Sequence, residues 1–89
     1  MKARILPYGD KNVCGRNIER IRKERGMKQI DLIRRMQLLG VDVNPSSLSK
    51  LESQRRIATD RELWAAAKIF QVPMEELITM PETEAAARE

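Results

Sequence analysis

The chain has 89 residues, enough for one domain with a modest core and too few for an enzyme that must enclose a sizeable substrate. It holds no His and one Cys, so metal-site spacings, Cys-His or Ser-His-Asp chemistry and internal disulfides have nothing to build on, and the composition reads as a non-enzyme without metal or cofactor. The net charge of +4 is unevenly placed: Met1 to Arg56 carries 14 Lys plus Arg against 6 Asp plus Glu, and Ile57 to Glu89 carries 3 against 7, which suggests one side facing a polyanion and another turned away from it.

Met1 to Val13 mixes Pro7, Gly9, Asp10 and Asn12 with scattered cations and no sustained period, and reads as a flexible arm without a signal-peptide core. From Cys14 the pattern changes. Cys14, Ile18, Ile21, Arg22 and Arg25 share one helical face, and Gly26 stands where a left-handed C-terminal cap is needed. Cys14 reads as a small buried apolar group rather than a reactive thiol. A second helix starts at about Lys28 or Gln29, with Leu32, Ile33, Met36 and Leu39 inward, and stops at Gly40. Gly40 to Val43 then forms a four-residue turn. Asn44-Pro45 marks the start of a third helix of about 45–53, because Asn caps open amides and Pro tolerates the first helical position; Leu48 and Leu51 face its core side. Gln54 to Ala58 is a basic connector. Thr59-Asp60-Arg61-Glu62 fits a capping box and opens a fourth helix with Leu63, Ala66, Ala67 and Phe70 inward. After Val72-Pro73 a short fifth helix, Met74 to Thr79, is anchored by Leu77 and Ile78, and 80–89 form an acidic tail. No apolar run reaches about 18 residues. The pattern predicts an all-α domain over 14–79, cytoplasmic and with no membrane partner.

Five short helices with a turn joining the second to the third meet the helix-turn-helix plan. The runs "GRNIERIRKERGMKQIDLIRRM", "LSKLES", "TDRELWAAAKIF" and "VPMEELI" resemble the Cro and phage-repressor type helix-turn-helix family, also called the Xre family. The resemblance covers Gly15 to about Ile78 and is carried by Gly26, Gln29, Leu32, Leu48, Ser49, Glu52 and Leu77. It implies a five-helix lambda-repressor-like domain that binds double-stranded DNA sequence-specifically, as a homodimer on a two-fold operator, most often as a transcriptional regulator.

A recognition helix offers its N-terminal turn to the major groove, so residues there must be polar and unobstructed. Asn44, Pro45, Ser46, Ser47 and Lys50 form that set, with Lys50 as the main base contact, to a guanine O6 or N7, and Asn44 chiefly a cap. For Ser46 and Ser47 the alternative is that they satisfy first-turn amides. The family uses a Gln at the start of the second helix to hold a DNA phosphate, which puts Gln29 there; Arg55 and Arg56 suit the next phosphates, and Lys28 and Arg16 are weaker candidates. Arg22 lies on the apolar face of the first helix, where a charge needs a partner, and the resemblance supplies Glu52 as its structural ion pair. Trp64 falls beside the inward face of the fourth helix, which suits partial burial or a dimer contact; Met74 and the connector Arg56 to Ala58 are alternative dimer surfaces.

The chain departs from the family pattern at Lys28, where Ser or Thr is preferred as a cap, at Ile33, a customary Ala, and at Gln71, where Gly often closes the fourth helix. The distance from Gln29 to Glu52, 23 positions, is also long. The surplus lies in "LLGVD" and resembles a long-turn branch of the family; Leu38 and Leu39 favour a longer second helix over a longer loop. With no effector domain following, the leading expectation is a repressor that occludes a promoter. Alternatives are an antitoxin-like protein that neutralises a protein partner and autoregulates its operon, and an architectural factor of a mobile element.

Overall fold

A computed structural model describes residues 9–80, which form five α-helices and no strand. They are α1 (Cys14–Glu24), α2 (Gln29–Leu38), α3 (Pro45–Glu52), α4 (Asp60–Phe70) and α5 (Met74–Leu77). Helix α1 lies against α3, α4 and α5, while α2 packs on α3 and α4. Ile18, Leu32, Met36, Leu48, Leu51, Phe70 and Leu77 fill the space between them and are fully buried. Each such side chain contributes roughly 1.5–3 kcal/mol through apolar area removed from water.

The helix ends follow from local chemistry. The Asn44 carboxamide accepts from the Ser47 amide at 2.7 Å and opens α3, with Pro45 at the first helical position. Thr59 and Glu62 form the reciprocal box that opens α4. At α2 the Lys28 ammonium has no lone pair to offer an amide, and the Asp31 carboxylate instead accepts from the Lys28 amide at 3.0 Å. Gln71 ends α4 in the left-handed conformation, φ 58°, which Gly would adopt with less strain.

Several positions differ from the sequence expectation. Helix α2 closes at Leu38, and the link to α3 runs from Leu39 to Asn44, with Val41 and Val43 buried beneath it. Leu38 is fully outward and Leu39 only half inward, so "LLGVD" divides between helix end and link. In α4, Ala65 is fully buried and Leu63 only partly, since the small residues let α4 approach its neighbours closely. The fifth helix is a single turn ending at Leu77, and Ile78 lies half exposed beyond it. Asn17 of α1 holds that end in place by donating to the Leu77 and Thr79 carbonyls at 2.8 and 3.0 Å.

The expected arm also divides. Its residues 1–8 lie outside the described residues, as do 81–89 of the tail, but 9–13 are a strap bonded to the chain just after α3. The Gly9 and Lys11 amides donate to the Ser53 and Gln54 carbonyls at 2.7 and 2.9 Å. The Asn12 carboxamide donates to the Leu51 and Arg56 carbonyls and accepts from the Gly15 amide. Here α1 meets α3 so closely that a Cβ on Gly15 would overlap the Leu51 carbonyl oxygen.

Charges inside this frame are paired. Arg22 is buried and forms a two-bonded pair with Glu52, Nε to Oε2 at 2.7 Å and Nη2 to Oε1 at 3.1 Å, while Nη1 donates to the Met27 carbonyl at 2.9 Å. The Gln29 amide adds a 2.9 Å bond to Glu52 Oε1. One carboxylate at the end of α3 thus holds α1 and the start of α2. A second pair, Arg56 with Glu62, ties the α3–α4 connector to α4 at 2.8 and 3.0 Å. Burial would raise the Glu62 carboxyl, but the Arg56 hydrogen bond, the Thr59 amide and the Arg56 charge outweigh it and hold the group below its ordinary value of 4.5. Burial, with Glu62 nearby, pushes the Cys14 thiol up to about 11, so it stays protonated and unreactive at neutral pH.

Two outcomes follow from these contacts. Gly15→Ala gains up to about 1 kcal/mol of helix propensity but must push α1 off the Leu51 carbonyl, at about 1–3 kcal/mol, so a net loss of stability is expected in thermal unfolding; an unchanged or raised Tm would show that the approach is not tight. Because Glu62 is more acidic when folded than unfolded, its contribution is complete above about pH 4.5 and disappears as pH falls through the folded value. Between pH 5 and 3, roughly, the Tm of Glu62→Gln should therefore fall less steeply than that of the parent protein.

Candidate nucleic-acid interface

The eight residues of α3 divide sharply by depth. Leu48, Leu51 and Glu52 are buried, whereas Ser46, Ser49 and Lys50 are exposed. The exposed residues stand at i, i+3 and i+4, one face of a helix. Ser49 was absent from the sequence-predicted contact set, although the same spacing that marks Leu48 and Leu51 as inward marks Ser49 as outward.

The other positions are arranged around this face. Asn44 is exposed with its carboxamide oxygen engaged as the cap, and Pro45 is exposed beside it. Ser47 is half-buried, and its backbone carbonyl accepts from Arg56 Nε at 2.9 Å. Lys50 is exposed, and its backbone carbonyl accepts from the Arg55 amide at 2.9 Å and the Ser53 hydroxyl at 3.3 Å. That bond brings the exposed Arg55 back under the last turn of α3. The α3 turn ends with Ser53, whose hydroxyl donates to the Ser49 carbonyl at 2.8 Å.

Gln29 opens α2 half-buried, one of its two amide N–H groups directed at Glu52. Lys28, just before it, is exposed at the positive end of the α2 dipole. Arg16 lies half-buried on α1, one residue past the Gly15 contact with α3. Arg56 is engaged chiefly within the protein. Four of its five N–H groups meet protein acceptors: the Ser47 and Ile57 carbonyls and both Glu62 oxygens. It is a clamp between α3 and α4, and no local signal marks this, because an Arg in a basic connector looks the same in sequence whether it turns inward or outward.

The hydrogen bonds join Arg22, Glu52 and the half-buried Gln29 in one network, and Asn44, Ser47, Arg56 and Glu62 in a second. A short polar face, unobstructed and held by apolar and ionic contacts on its other sides, is suited to entering a groove about 12 Å wide. Among the described residues no helix is long and apolar enough to cross a membrane.

No significant match was found among curated proteins or among solved structures. A family model described as helix-turn-helix matches residues 18–77, from the middle of α1 to the end of α5. The chain therefore belongs to the Cro/C1-type helix-turn-helix family, the Xre family of DNA-binding transcription regulators.

Proposed function

We propose that the protein is a sequence-specific repressor that binds as a homodimer to a two-fold operator and occludes a promoter, with α3 in the major groove. The observation that supports this best is the depth pattern of α3: Ser46, Ser49 and Lys50 outward, Leu48, Leu51 and Glu52 locked inward. Lys50 is the long donor of that face and takes a guanine O6 or N7, while the serines contribute short-range or water-bridged contacts. Asn44 and Pro45 border the groove and shape the entry of the helix. Gln29 directs its second amide N–H to a phosphate while Glu52 holds the first, and Lys28, Arg55 and Arg16 supply further backbone contacts. The exposed apolar side chains Ile57, Trp64, Met74 and Ile78 are the candidates for the dimer contact.

With so few long side chains on α3, direct readout per half-site is modest, and half-site spacing and DNA shape carry much of the discrimination. Selection of bound fragments from random duplex DNA should enrich a two-fold motif. Against that motif Lys50→Ala is expected to lose about tenfold in discrimination at its own base pair, corresponding to one base contact of about 1–3 kcal/mol, with Tm unchanged. Equal affinity for the motif and for random duplex at physiological salt would overturn the proposal.

A further inference from the structure

The strap Gly9–Val13 is held far more firmly than a chain entry into α1 needs. Besides the Gly9 and Lys11 amide bonds to Ser53 and Gln54, the Asn12 carboxamide bonds the Leu51 carbonyl at 3.1 Å, the Arg56 carbonyl at 2.7 Å and the Gly15 amide at 2.7 Å. Gln54 reaches back to the Asn12 carbonyl at 2.9 Å and does so from a left-handed backbone conformation, φ 63°. A Cβ on Gly9 would overlap the Gln54 carbonyl oxygen. Strain and close approach of this kind persist only where surrounding contacts over-determine them.

These bonds bring Lys11 to the end of α3. The Arg55 amide bonds the Lys50 carbonyl, and the Lys11 amide bonds the carbonyl of Gln54, the residue before Arg55. The strap thus meets the chain beside Lys50 and Arg55 at the C-terminal end of α3, and Lys11, Lys50 and Arg55 are all exposed. We propose that this strap is a second part of the DNA interface, in which Lys11 binds a backbone phosphate beside the one reached by Arg55, and Asn12 is the residue that positions it. Three exposed cations gathered at one end of α3 favour a polyanion there. Asp10, exposed on the same strap, is the one carboxylate of 9–13 and opposes that binding.

The inference rests on the DNA-binding reading, and a salt titration of the full chain on duplex DNA carrying the selected motif separates the two. Lys11→Gln should make the slope of log affinity against log salt shallower by about 0.9 and weaken binding roughly fivefold at about 0.1 M salt, with Tm unchanged. Asp10→Asn should tighten binding, a gain that a folding defect does not produce. Asn12→Ser, measured well below its Tm, should lose the same slope as Lys11→Gln, and the double variant should lose no more than either. An unchanged slope in Lys11→Gln, or no tightening in Asp10→Asn, overturns the role of the strap while leaving α3 as the reader. A parent protein whose duplex binding shows no salt dependence overturns both.

Discussion

A charged pair taken out of water organises this domain. Arg22 and Glu52 sit between α1 and α3, and their attraction must offset the loss of hydration of two ions. Two N–H to oxygen bonds from Arg22 to Glu52, a third Arg22 N–H donated to the Met27 carbonyl and a fourth bond donated by Gln29 supply that offset, so that Glu52 Oε1 accepts twice. The geometry leaves little freedom. A carboxylate that must meet Arg22 on one side and Gln29 on another fixes the rotation of α3 about its axis, and with it which residues of α3 turn outward.

Everything on the reading face follows from that rotation. Leu48 and Leu51 share the inward side with Glu52, so Ser46, Ser49 and Lys50 are left to solvent. The Arg56 clamp on Ser47 and Glu62 holds the other flank, and Asn12 holds the far end by its bonds to Leu51 and Arg56. A recognition helix of eight residues has little intrinsic stability, because isolated helices of this length do not persist in water. Its presentation depends on these three anchors, which explains why buried and half-buried polar groups gather around it rather than around the longer α1 and α4.

Much of this was legible in the residues. The 3.6-residue period of α1 and α2, the Asn-Pro start of α3 and the Thr-x-x-Glu start of α4 are local signals, and each element forms where its local chemistry places it. Arg22 stood out because a cation on an apolar face has few solutions. What sequence reading missed is non-local. Asn12 looks like any turn residue until its carboxamide meets carbonyls of α3 and the connector, and Asn17 likewise bonds carbonyls beyond α5. Arg56, whose place just past α3 suits a phosphate contact, finds in the buried Glu62 a partner for its guanidinium that no local signal announces. Ile78, expected to anchor α5 with Leu77, is half exposed: a single helical turn buries one such side chain, and Leu77 takes that place. The positions proposed to meet DNA rest on family resemblance and exposure together, since neither period nor capping distinguishes a groove contact from a solvated serine.

The central claim is that the Arg22–Glu52 pair fixes the orientation of α3. A double-mutant cycle with Arg22→Met and Glu52→Leu tests it most directly, read in both Tm and affinity for the selected duplex. Each single variant strands a buried charge and is expected to cost about 3–5 kcal/mol in stability, whereas the double variant, with neither charge, should recover much of that cost. The double variant should nevertheless bind the duplex more weakly than the parent, because α3 is no longer held in rotation. Additive losses in stability, or a stable double variant with full DNA affinity, would contradict the claim.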